Sequence, residues 1–119
     1  MMKKIILLLI FFTFLIIVFS SCARPFLNQH LHFGIASAQR DLWDEAIFRW
    51  KKVIRSNPNS AAAHNNLAVA YEKKGLWEEA KKEYELALKL SPNNSYVEAN
   101  YNNFKENYEV FKKEKNEKI

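Results

Sequence analysis

Structure-breaking residues are scarce in this chain, with two glycines and three prolines among 119 residues. A sandwich or barrel of short strands needs turn residues at much closer intervals, and no stretch alternates apolar and polar positions long enough to read as a half-buried strand. An all-α fold is therefore expected. Cysteine is scarcer still: Cys22 stands alone, so no internal disulfide can form. Also lacking are a glycine-rich phosphate loop, a Cys/His cluster at metal-ligand spacing and a nucleophile beside a base. His30 and His32 are two apart and point in different directions on one helix, which makes a poor metal pair. No enzyme activity, metal, cofactor or small-molecule substrate is expected. The net charge is +5, but basic and acidic residues are interleaved rather than sorted onto one face, so a nucleic-acid surface is not expected either. Glu45 with Arg49, Glu78 with Lys82 and Glu85 with Lys89 are spaced four apart in the favourable order, as on solvated helix faces.

What is present is a periodic pattern. From Ser60 to Pro92 the positions Leu67, Ala70 and Tyr71, then Trp77, Ala80, Tyr84, Ala87 and Leu88, recur three and four apart on either side of Gly75, the period of two amphipathic helices. Ser60 is placed to cap the first. Gly75 can close it in the left-handed conformation, and Lys73 and Lys74 suit its C-terminal end. The small residues Ala68, Ala80 and Ala87 let the pair approach as a tight antiparallel hairpin.

The same spacing recurs 34 residues earlier, where Pro58 answers to Pro92, His30 to His64, Phe33 to Leu67, Gly34 to Ala68, Trp43 to Trp77, Ala46 to Ala80, Trp50 to Tyr84 and Val53 to Ala87. A 34-residue period with this small and aromatic pattern resembles the tetratricopeptide repeat, a helix-turn-helix unit that stacks into a solenoid. The earlier copy departs from the family's pattern at Ser37, which stands where the second has Tyr71, and at Asp41, which stands where it has Gly75. The alternative is an unrelated four-helix bundle. The resemblance divides the chain into a first repeat over 27–60, a second over 61–94 and a C-terminal capping helix with a charged tail over 95–119. Asp41 is expected to cap the second helix, and the first helix is expected to start near Phe26 or Leu27.

The N-terminus has a different character. Lys3 and Lys4 precede an apolar run from Ile5 to Phe19, interrupted by Thr13, and Ser20 and Ser21 lead into Cys22. This is the three-part layout of a secretory signal peptide, over 1–21, and the run falls short of the roughly 20 residues that span a bilayer. Phe19 to Cys22 resembles the lipobox of bacterial lipoproteins, with Phe19 where an aliphatic residue is usual. That resemblance implies acylation of Cys22 by palmitate-type chains and cleavage just before it, which lowers the net charge to +3 through loss of Lys3 and Lys4. Ordinary signal cleavage and an uncleaved anchor are the alternatives. Residues 22–26 are then the lipid anchor and a linker, and three extended residues reach only about 10 Å, so the folded body is expected at a membrane of the bacterial cell envelope, facing the periplasm or exterior.

Beyond the second repeat, Ser95 with Glu98 reads as a capping box, and the helix it opens carries Val97, Tyr101, Phe104, Tyr108 and Phe111 in an aromatic stripe. It is expected to cover the open end of the solenoid. A coiled-coil dimer is the other use for such a stripe, which leaves oligomerisation open.

In tetratricopeptide proteins the first helix of each repeat lines a concave groove that holds a peptide. Projected onto this chain, the resemblance places Asn28, Leu31, His32 and Ile35 on the groove from the first repeat. It adds Asn65, Asn66, Val69, Glu72 and Lys73 from the second, and Tyr96, Asn100 and Asn103 from the last helix. His32, Asn66 and Asn100 are 34 apart, so they are expected to form a column of rungs along the wall. The implied function is a membrane-anchored adaptor that binds a protein or peptide through the concave face. The alternative is a structural subunit of an envelope complex for secretion, pilus or outer-membrane assembly, oligomerising through the aromatic helix.

Overall fold

The computed structural model describes residues 1–118, apart from the side chains of residues 18–25. The described residues form α1 (Met2–Ala38), α2 (Trp43–Ser56), α3 (Ala61–Lys73), α4 (Trp77–Leu90) and α5 (Ser95–Glu117), with no strand among them. Each helix packs on the next, and α1 also touches α3 while α3 touches α5. Two antiparallel pairs stack in this way and α5 closes the far end, which is the expected all-α solenoid.

The 34-residue register is visible in the backbone. At the first turn the Asp41 amide donates to Ala38 and the Leu42 amide to Ser37, at 3.0 and 2.9 Å; at the second, Gly75 donates to Glu72 and Leu76 to Tyr71, both at 2.9 Å. Asp41 has φ +58° and Gly75 φ +72°. Asp41 therefore does the work of Gly75, one of the few non-glycine residues that tolerates the left-handed region. It does not cap α2: Leu42 holds that position and no side chain bonds the first amides, so Asp44 and Glu45 in the first turn face its positive end instead.

Caps recur as well. Ser60 Oγ accepts from the Ala63 amide at 3.3 Å, as expected. At α5 the cap is Asn94, whose Oδ1 accepts from the amides of Tyr96 and Val97 at 3.0 and 3.3 Å, and not Ser95. Ser95 is already helical. The repeat offset applied to Ser60 gives Asn94, so the register predicts the cap better than the local Ser–Glu spacing does.

The core lies between the pairs. Ala46, Trp50, Leu67 and Ala70 form one buried cluster; Ala68, Ala80, Tyr84 and Phe104 form the other. Full burial of a large apolar side chain contributes about 1.5–3 kcal/mol, so these few residues dominate the stability of a small solenoid. Trp77 meets Phe104 and Tyr108 at ring-centroid distances of 6.2 and 6.4 Å and stacks on Phe111 at 5.0 Å. The stripe of α5 is thus turned onto α4 within the chain. Its outer side is polar, with Asn102, Lys105, Glu106 and Glu109 exposed.

The first helix differs from expectation. It runs from Met2 to Ala38, with no glycine before Gly34 to end it, instead of starting near Phe26. Its apolar side chains from Ile5 to Ile17 are exposed. No helix among the described residues is long and apolar enough to cross a membrane. Cys22, with Phe19, Ser20 and Ser21, lies outside the described side chains.

Candidate binding groove

The concave side is built by the packing of α1, α2, α3 and α5. Ile35, Ala38 and Gln39 at the end of α1, Trp43 and Trp50 of α2, Asn66 and Val69 of α3, and Tyr96 and Asn100 of α5 enclose a cavity of about 400 Å³. Aromatic rings form much of its lining, amides supply its polarity, and no charged residue contributes to it. Trp50 is 2% exposed and its indole N–H donates to the Leu31 carbonyl at 3.3 Å, so it forms a fixed floor with its donor already used. Tyr96 is 70% exposed and stands at the rim.

The amides are connected. Asn100 Nδ2 donates to Asn65 Oδ1 at 3.1 Å, and Asn65 Nδ2 donates to Asn66 Oδ1 at 3.4 Å. Asn65 is only 2% exposed and is used up behind the wall. The polarity of this relay leaves the Asn66 NH2 as donor and the Asn100 carbonyl as acceptor on the residues that line the cavity.

Of the residues placed on the groove by sequence, Ile35, Asn66, Val69, Tyr96 and Asn100 line it. Others do not. Asn28 and Leu31 line a separate cavity of about 200 Å³ with Val53, Asn57 and Ser60, because Leu31 turns toward the core between α1 and α2. Glu72 is engaged inside the fold, accepting from the Tyr84 hydroxyl at 3.1 Å and from Asn107 Nδ2 at 2.9 Å. Burial first, and then Glu72, push the Tyr84 hydroxyl well above its ordinary pKa, so it remains a donor. His32, Lys73 and Asn103 are exposed and stand outside the cavity wall. The expected column therefore keeps Asn66 and Asn100 and loses His32. Ala38, Gln39, Trp43 and Trp50 were not placed on the groove by sequence. The indoles carry the same period as their repeat partners and read as core alone, although Trp43 is only half-buried.

Both paired histidines have structural partners. His64 Nδ1 meets Glu83 Oε2 at 2.6 Å and its Nε2–H donates to the Pro58 carbonyl at 2.8 Å. His30 Nδ1 accepts from Arg49 Nη1 at 3.3 Å, across the same separation of 19 residues, so Glu83 and Arg49 occupy equivalent places with opposite charge. Burial, then the Lys52 and Arg49 cations, hold His30 below the usual imidazole range. No group of three or more His, Cys, Asp or Glu residues among the described residues is placed to hold a metal ion.

Against known families, the family model of the tetratricopeptide repeat matches residues 61–94, and that of the TPR repeat matches residues 38–75. Residues 38–94 are thus similar to tetratricopeptide repeats. No curated protein matches the chain. The TPR matches take in α2, α3 and α4 together with both left-handed turns, and stop where α5 begins. Tetratricopeptide repeats are protein–protein interaction modules, and the cavity sits on the side of the TPR stack where first helices converge.

Proposed function

We propose that the protein is a membrane-attached adaptor whose TPR groove binds an uncharged, partly apolar segment of a partner protein. The observation that carries the reading is the charge-free lining, in which Asn66 offers a donor and Asn100 an acceptor between aromatic walls. One peptide unit presents the complementary carbonyl and N–H, so an extended backbone is matched whatever its side chains. A terminal carboxylate is a poor fit, because no Arg or Lys lines the cavity.

Attachment at the bacterial envelope through acylated Cys22 belongs to the same proposal. It is supported by the Lys3–Lys4 start, the apolar run and the small residues before the sole cysteine. One acyl chain holds weakly and several hold firmly, so the modification decides residence. Cys22→Ser should shift the protein from the membrane to the soluble fraction, and an unmodified N-terminus by mass spectrometry would refute the acylation.

The groove is tested with a partner crosslinked and co-purified from membranes and identified by mass spectrometry. Each amide bond contributes roughly 0.5–1.5 kcal/mol, so Asn66→Ala with Asn100→Ala should weaken that partner's binding at least severalfold by calorimetry. Unchanged affinity with an intact melting curve would move binding off the groove. The other reading, a structural subunit joined through α5, is disfavoured by the packing of Tyr101, Phe104, Tyr108 and Phe111 onto the chain's own α4.

A further inference from the structure

The outer side of the first pair carries a surface that the groove does not use. Phe26, Phe33 and Phe48 are 49, 49 and 47% exposed, unusual for rings that could turn into a core. They are joined by contacts. Phe26 meets His30 edge-on at 4.4 Å, His30 holds Arg49, and the Arg49 guanidinium lies 5.5 Å from the Phe33 ring and 5.8 Å from the Phe48 ring. Lys52 Nζ lies 5.2 Å from the Phe48 ring on the other side. Phe26, His30 and Phe33 recur at helical spacing on one face of α1, as do Phe48, Lys52 and Arg55 on one face of α2. The single acid in this contact chain is Glu45, bonded to Arg49 at 2.6 Å.

Exposed rings interleaved with cations suit the boundary between water and lipid. Rings settle at headgroup depth, while Arg and Lys reach anionic phosphates with their stems along the apolar side. We infer that Phe26, Phe33, Phe48, Lys52 and Arg55 form a docking face for an anionic bilayer. The first pair lies on its side against the lipid. The inference rests on the membrane attachment proposed above, and it adds an orientation.

The test uses the mature chain acylated at Cys22, whose own thiol is blocked by the modification, reconstituted into phosphatidylglycerol–phosphatidylcholine vesicles. A nitroxide is attached at Phe48→Cys or, as a control on the outer side of α5, at Lys105→Cys. Flotation reads attachment, and relaxation by oxygen against a water-soluble nickel chelate reads lipid contact. The expected result is an oxygen-to-nickel ratio several-fold higher at 48 than at 105. It should fall to the control value in Lys52→Glu/Arg55→Glu and in pure phosphatidylcholine. If the chain floats and 48 relaxes as 105 does, the face is free in water for a protein partner: the docking inference fails and attachment stands. If a high ratio survives the charge reversal, the anionic docking is likewise overturned. A chain that does not float overturns the attachment and this inference together.

Discussion

Gly34 lies against the indole of Trp50 so closely that a Cβ on it would stand 2.3 Å from Nε1 and 2.7 Å from Cδ1. The equivalent pair in the second repeat is Ala68 with Tyr84, members of one buried cluster. The two repeats thus divide the same space differently: the larger ring faces the residue with no side chain.

Gly34→Ala should therefore destabilise, although alanine favours a helix by about 1 kcal/mol. The ring cannot yield without losing its bond to the Leu31 carbonyl, so the overpacking cost should lie at the upper end of about 1–3 kcal/mol. Adding Trp50→Tyr copies the second repeat and should restore much of the loss. Thermal melting of the two variants decides it; a single variant as stable as the parent would show that the indole moves freely.

Asp41 offers the opposite change. Its φ of +58° is strained for any residue with a Cβ, so Asp41→Gly should stabilise by roughly 0.5–1 kcal/mol after the added freedom of the unfolded chain is subtracted. Asp41→Val should lose stability, since branching at Cβ worsens the clash. Denaturant midpoints read both, and a gain on introducing valine would contradict the turn geometry.

His30 predicts sensitivity to mild acid. Its folded pKa is lowered from 6.5, so the folded state resists protonation and the unfolded state does not. The stability it contributes is present above pH 6.5 and is lost as pH falls toward and through the lowered value. The cations facing it, Arg49 and Lys52, set the direction after burial; Glu45 is bonded to Arg49 from the other side. His30→Gln should flatten the stability profile between about pH 7 and 5, the range over which an ordinary imidazole titrates. Parallel profiles for parent and variant would sink the assignment.

Phe104 predicts dependence on the last helix. It is 1% exposed and packs at 5.1 Å from the Tyr84 ring, so Phe104→Ala should cost about 3–5 kcal/mol. Truncation after Asn94 would expose Trp77, Ala80 and Tyr84 together and should leave a chain that aggregates. Circular dichroism and sedimentation of the truncated form test this, and a cooperative soluble fragment would mean that two pairs suffice.

Local chemistry accounts for how much was legible before the fold. Ser60 and Gly75 act through their own backbone, so their roles could be read directly. The 34-residue offset even corrects the local reading at α5, where it points to Asn94 over Ser95. Ion pairs were less legible. Glu45 pairs with Arg49, but Glu78 accepts from the Tyr108 hydroxyl, and Glu85 accepts from Tyr101 and lies 4.0 Å from Lys81 instead of pairing with Lys89, because α5 brings phenols to acids that sequence spacing assigns to other lysines.

The positions of α2 to α5, the repeat register, the core stripes and the likeness to the tetratricopeptide repeat were set by the sequence itself, since each depends on spacing along one or two adjacent helices, whereas α1 begins well before the expected start. Tertiary structure decided the groove. A column of equal spacing puts His32, Asn66 and Asn100 together, yet Asn100 bonds Asn65, 35 residues away, while His32 is exposed outside the wall. Both side-chain bonds between α3 and α5, Asn65 with Asn100 and Glu72 with Asn107, join residues 35 apart, so the residue facing the next first helix is displaced by one position from the 34-residue register. The same packing places Trp43 and Trp50 in the groove wall while their period marks them as core, because a helix at a concave surface presents one stripe to both.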